Sequence, residues 1–216
     1  MLRIVLLSAA VLAGYVLVLL PWHRRWGATE DEVRRALPGD GLLPTPNQKT
    51  TRAITIAAAP AQVWPWLVQI GQGRGGLYSY EWLENLAGCN IHNADRILPE
   101  HQNLNAGDVI RMGEPEGYPL FQVIEIEPES YLLLAGADSQ TGQAPDFANT
   151  TQVRSTWLFY LQPAGAGHTR LIVRSLTAYP PSPMNVFGWR LVEAIQFVME
   201  QKMLRGIRDR AQGVHA

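Results

Sequence analysis

The sequence predicts an α+β protein in which a bent antiparallel sheet wraps around a long carboxy-terminal helix, with a transmembrane helix placed ahead of it. Three observations carry this expectation. Five short apolar runs follow one another after residue 108 with only turn residues between them, which leaves no room for the crossover helices that parallel strands need. Beyond Pro183 an apolar stripe recurs at helical spacing for about 25 residues. At the other end of the chain, residues 4–20 carry no charge.

With 216 residues, 47% of them hydrophobic and 17% charged, the chain can bury one sizeable core but not two comfortable ones. A net charge of -1 provides neither a basic field for nucleic acid nor an acidic field for cationic partners, so nucleic acid is not an expected partner. Cys89 is the single cysteine, which excludes an internal disulfide and every multi-cysteine metal site.

The uncharged run spans roughly 26 Å as a helix, and with Leu2 and Trp22 it approaches the ~30 Å of a bilayer's hydrocarbon layer. A cleaved signal peptide is the alternative, but no small-x-small cleavage site follows Leu20. The chain reads Pro21, Trp22, His23, Arg24, Arg25, Trp26, with both tryptophans suited to a membrane interface. Residues 1–26 are therefore expected to be an uncleaved anchor and the protein single-pass. Arg24, Arg25, Arg34 and Arg35 outweigh Arg3 and tip the count towards a cytoplasmic domain. Residues 27–49, punctuated by Pro38, Gly39, Gly41, Pro44 and Pro46, read as a linker, with Thr29 before Glu30, Asp31 and Glu32 opening one short helical turn. The folded domain is expected over 50–212.

Residues 51–58 alternate as a half-buried strand would, with Ile54, Ile56 and Ala58 on one face. Pro60 opens a helix, where its missing amide proton costs little, and Val63, Trp64, Trp66, Leu67 and Ile70 form its apolar side. Pro65 lies one turn in, so a kink or a late start is expected. Gly71, Gly73 and Gly76 lead into a second short helix whose apolar face is expected at Tyr78, Trp82, Leu83 and Leu86. The polar stretch 89–108 is too long and irregular for a hairpin loop, which makes it a candidate functional loop.

Strands are expected at 109–112, 121–126, 131–136, 155–161 and 171–178. In the last helix Phe187, Leu191, Val192, Ile195, Val198, Met199, Met203 and Ile207 form the stripe, opposite Arg190, Glu193, Glu200, Lys202, Arg208 and Asp209. A stripe this wide is expected to be buried along most of its length in the concave face of the sheet.

This order of elements resembles the START-like helix-grip, or SRPBCC, superfamily, which includes polyketide cyclases and lipid-transfer proteins. The likeness covers about residues 50–212. The segment APAQVWPWLVQIG looks like the superfamily's proline-started opening helix, while GRGGLYSYEWLENLAG and NIHNADRILPE resemble an uncharacterised bacterial branch. The resemblance implies a hydrophobic cavity between the long helix and the sheet, in a superfamily where most members bind apolar ligands and some catalyse. It carries over no catalytic residue.

Among the residues themselves, Gly71, Gly73 and Gly76 satisfy G-x-G-x-x-G, with Asp95 further on. The preceding helix and the following meander lack the parallel crossovers of a dinucleotide-binding sheet, so a glycine turn is the better reading. An anion held near Arg74 is the other use of such a turn. His92, Asp95, Glu100 and His101 have metal-ligand chemistry without a spacing motif, and neither a metal nor a cofactor is expected. Tyr78, Tyr80, His92 and Asp95, with Glu81, could supply acid and base to a carbonyl compound, because tyrosine can stabilise an enolate and histidine moves protons near neutral pH. A ligand lining is expected from Trp82, Phe121, Trp157, Phe159, Val192, Ile195, Met199 and Met203. Of the strand arginines Arg111, Arg154 and Arg174, one pointing inward would anchor a ligand's acidic group, and Arg111 and Arg174 are the candidates. The functions in view are membrane-anchored binding of a hydrophobic small molecule or lipid, a cyclase or dehydratase, and a non-catalytic interaction module.

Overall fold

The computed structural model describes residues 14–114 and 119–214. After a π-helical turn at Tyr15–Leu19 come α1 (Leu20–Arg24) and α2 (Glu30–Arg34), then β1 (Gln48–Ile56), α3 (Pro60–Val68) and α4 (Glu81–Leu86). The chain continues through β2 (Val109–Arg111), β3 (Leu120–Glu127), β4 (Tyr131–Ala137), β5 (Arg154–Pro163) and β6 (Thr169–Ala178), and closes with α5 (Pro183–Ala211). The six strands form one sheet in the order β1-β6-β5-β4-β3-β2, antiparallel throughout. The amino-terminal strand β1 adds to the last strand of the meander, β6, so that β1 and β2 form the two edges of the sheet. This is the helix-grip arrangement, a sheet whose inner face is closed by a long terminal helix.

Alternation along the strands separates the two faces. Leu132, Leu134, Phe159, Leu161, Leu171 and Val173 point inward and pack with Met203, Leu204 and Ile207 of α5, with Val63 and Leu67 of α3 and with Ile70 just after it. Leu133, Leu158, Ile172 and Ala53 point outward and are covered by Leu37. α3 starts at Pro60, not after Pro65, and Gln62 accepts the Ala59 N–H at 3.0 Å.

The stripe of α5 is not buried along most of its length. Only its second half is closed into the core. In the first half Phe187 is 71% and Leu191 58% exposed, while Glu193 of the expected polar side is 1% exposed. The helix is rotated by its partners: Arg24 donates to Glu193 Oε2 at 3.0 Å, and Arg52 Nη1 stands 3.2 Å from Glu200 Oε1. A carboxylate met by a guanidinium can be buried where an isolated one cannot.

The single-pass membrane location, with its cytoplasmic domain, is corrected. Among the described residues no helix is long and apolar enough to cross a membrane. Residues 1–13, which hold most of the uncharged run, lie outside the described residues. Its last part does not continue as an isolated span. Leu20 and His23 are buried, the His23 ring lies 5.4 Å from that of Phe197 on α5, and the His23 carbonyl accepts from Arg52 Nε at 2.8 Å. The stretch read as a linker is a strap on the outer face of the sheet. Thr29 and Glu32 form a capping box on α2, and Glu32 accepts from Arg170 at 2.7 Å. Leu37 and Leu43 of the strap are buried against the sheet.

Candidate functional site

Between the first half of α5 and the adjoining end of the sheet lies a cavity of about 990 Å³. Side-chain size along the strands accounts for it. The inward rows that are large near the core become Gly136 on β4, Ser155 on β5, and Ser175 and Thr177 on β6. Small side chains there leave α5 unfilled space opposite Val192, Ile195 and Met199. Segment 77–89, which includes α4, forms one wall through Leu77, Ser79 and Glu84.

The geometry sorts the expected lining. Phe121, Trp157, Val192, Ile195, Met199 and Met203 line the cavity. Trp157 packs its ring 5.4 Å from Phe121 and 4.6 Å from Phe159. Phe159 is fully buried in the core behind them, not in the wall. Trp82 is 67% exposed and turned away, because α4 begins at Glu81, and Tyr78, from which its face was counted, is not helical: its φ is +55°. With the phase reset, Glu84 faces inward.

Neither arginine lines the cavity. Arg111 is exposed on the sheet's edge strand β2. Arg174 is buried, but it alternates with the inward Val173 and Ser175 and so points to the outer face. There it donates to Thr51 Oγ1 at 3.0 Å, to Asp40 Oδ2 at 2.6 Å and to the carbonyls of Glu32, Val33 and Arg35. It clamps the strap.

The acid–base candidates do not converge on the cavity. Tyr78 is buried outside the cavity wall, its hydroxyl donating to the Trp66 carbonyl at 3.0 Å, and burial pushes its phenol up. Tyr80 is half-buried with Lys202 Nζ 6.0 Å from its ring centre. His92 is exposed, its Nδ1 3.3 Å from Glu81 Oε1, and Asp95 is exposed as well. The loop that carries them is tied to itself, with Glu81 accepting the Asn93 N–H at 2.8 Å and Asn93 accepting that of Tyr78 at 2.6 Å. Among the described residues no three His, Cys, Asp or Glu side chains gather where a metal could be held. The glycine turn closes on itself as well. Gly71 and Gly76 exchange backbone hydrogen bonds of 2.9 Å in each direction, and a side chain at Gly76 would meet Asn93. The Arg74 guanidinium is engaged by the carbonyls of Val68 and His101.

Sequence reasoning missed the polar part of the wall: Glu84, Ser79, Ser175, Gln196 and Glu200. Ser79 Oγ donates to the Met199 carbonyl at 2.9 Å, and Gln196 Nε2 donates to Ser175 Oγ at 3.3 Å. Burial pushes the Glu200 carboxyl up, against the opposing pull of Arg52. Arg52 itself is fully buried, on the inward side of β1, with its guanidinium 5.2 Å from the Phe197 ring centre. Its pairing with Glu200 had no local sequence signal beyond a basic residue inside an otherwise apolar strand row.

Fold and cavity together define a helix-grip domain with a half-open chamber between sheet and helix. Its chain path is similar to those of several solved structures. Ms6760 from Mycobacterium smegmatis is 12% identical, with 77% of this chain and 92% of that chain covered and a TM-score of 0.46. For CV1439 from Chromobacterium violaceum the values are 12%, 76%, 96% and 0.42. For Ara h 8.0201 they are 15%, 77%, 98% and 0.45. No family model and no curated protein matches the chain. The likeness extends to the path of the chain, and no ligand or chemistry is taken from it.

Proposed function

We propose that this protein binds an apolar or lipid-like small molecule in the cavity between the sheet and α5, without transforming it. The observation that carries this reading is the cavity itself: about 990 Å³, with a wall surface that is mostly apolar and includes Phe121, Trp157, Val192, Ile195, Met199 and Met203. That volume is at the upper end of what drug-sized ligands occupy, and adaptable methionines suit an apolar guest. Cyclase or dehydratase chemistry by Tyr78 or Tyr80 with His92 gains no support, since none of these side chains reaches the chamber.

The test is a plugged chamber. Val192 and Ile195 line the cavity and are 45% and 54% exposed, so Val192→Trp with Ile195→Trp adds bulk at the mouth without displacing packed core. An apolar fluorophore should brighten with the natural protein and not with the double variant, at unchanged melting temperature. Equal fluorescence from both would refute the reading.

A further inference from the structure

The walls of the chamber are unevenly charged. Among the described residues that line it, Glu84, Asp138 and Glu200 are acidic, and none is Lys, Arg or His. Two of the three carboxylates are already answered. Asp138 Oδ1 accepts the N–H groups of Gln140 and Thr141 at 3.0 and 2.8 Å, and Glu200 has Arg52 at 3.2 Å behind it. Glu84 is different. It is 5% exposed, lines the chamber from α4, and both its side-chain oxygens lack any hydrogen-bond partner. Buried polar atoms are rarely left in this state, because an unmet group forfeits the hydrogen bonds that water gave it. Trp157 shows the converse on another wall of the same chamber: its indole Nε1–H is buried with no acceptor.

We infer that the chamber recognises an apolar molecule carrying a hydrogen-bond-donating head, a hydroxyl or an amine, which binds the Glu84 carboxyl group, and that it discriminates against carboxylate-headed molecules such as fatty acids. This deepens the binding function proposed above and rests on it. A hydroxyl satisfies Glu84 in either protonation state, and an ammonium pairs with the carboxylate. A second polar atom on the ligand, if it is an acceptor, meets Trp157 Nε1. A fatty acid brings a negative charge to a wall that holds a carboxyl and no free cation, so it must enter protonated or leave a buried charge uncompensated. Burial, with the Glu81 charge beside it, pushes the Glu84 carboxyl up to about 7, so both forms are present near neutral pH.

The experiment compares dodecanol, dodecylamine and dodecanoic acid as probes of matched chain length, below their micelle concentrations at neutral pH, by quenching of the cavity tryptophans Trp157 and Trp189. The alcohol and the amine should bind at least about tenfold more tightly than the acid. Glu84→Gln should weaken the amine about tenfold, strengthen the acid and leave the alcohol within about threefold. Glutamine matches the shape and removes an unfavourable ionisation, so the variant folds, and the ranking of probes by the natural protein needs no variant at all. If the acid binds as tightly as the other two, or if the variant leaves the amine-to-acid ratio unchanged, this inference is overturned while the binding function stands. If none of the three binds, both fall.

Discussion

Glu84→Gln should stabilise the protein in alkaline solution and leave it unchanged in acid. Burial, aided by Glu81, raises the carboxyl from its ordinary 4.5 to about 7. At 1.36 kcal/mol per pH unit, holding it back that far amounts to about 3 kcal/mol, an upper figure that water reaching the chamber would trim to roughly 2–3 kcal/mol. The folded-state value is the raised one, so the sign follows. Below about pH 4 the carboxyl is protonated in both the folded and the unfolded chain and costs nothing. Between 4.5 and about 7 the unfolded chain ionises first, and stability falls as pH rises. Above about 7 the whole cost is present. Glutamine carries a buried polar group of the same shape but never ionises, so every other titration cancels between the two proteins. Urea unfolding of both at about pH 4 and about pH 8 should give a difference that grows by roughly 2–3 kcal/mol, or roughly 5–10 °C in melting temperature. Glu81→Gln should narrow the gap, since Glu81 is the charged neighbour that adds to the burial. Parallel stability profiles for the natural protein and Glu84→Gln would refute the buried, unpartnered carboxyl.

Two further substitutions test the frame that holds the chamber. Arg174→Ala takes the guanidinium from Asp40 and three strap carbonyls and should cost at least about 3 kcal/mol in denaturant unfolding, with Arg174→Lys failing to rescue because one ammonium cannot reach five acceptors. Gly206→Ala gains about 1 kcal/mol of helix propensity, but its Cβ would fall 2.3 Å from the Tyr78 carbonyl oxygen, so a net destabilisation of about 1–3 kcal/mol is expected by thermal melting.

The strands were legible because period-two alternation and turn residues are local signals. Those local signals predicted six strands and an antiparallel meander, whereas the seat of β1 beside β6 had no local signal. What escaped was set by partners distant in sequence. Glu193 and Glu200 read as solvent-facing until Arg24 and Arg52, more than a hundred residues earlier, turn them inward and push Phe187 and Leu191 out. The phase of α4 was lost to a single residue, since counting a helical face from Tyr78 presumes a backbone that its positive φ denies. The strap was hidden by composition: its prolines and glycines suggest a linker, and only the stack of acceptors around Arg174 and the Glu32–Arg170 pair reveals a packed segment. Candidate lining on α5 and β5 could be named from residue type, whereas Glu84 needed coordinates.

The chamber nonetheless leaves a trace in the strands, one that can be tested by filling it. On β6 the inward row runs Leu171, Val173, Ser175, Thr177, and on β5 it runs Leu161, Phe159, Trp157, Ser155, with Ser175 opposite Trp157 and Thr177 opposite Ser155. On β4 Leu132 and Leu134 give way to Gly136, where an added Cβ would lie 2.4 Å from Ser155 Oγ. Side-chain size therefore collapses at the same level on three neighbouring strands. α5 does not compensate, because at that level it presents Val192, Ile195 and Gln196 at the rim of the gap. Ser175→Leu extends the filled part of the row by one step. Burying the leucine side chain is worth about 1.5–3 kcal/mol, against about 1 kcal/mol for the hydrogen bond from Gln196 that is lost. The variant should thus be more stable by about 1 kcal/mol while losing affinity for every apolar probe. A destabilised Ser175→Leu protein would mean that the row has no space to fill, and that the chamber's width does not come from its small side chains.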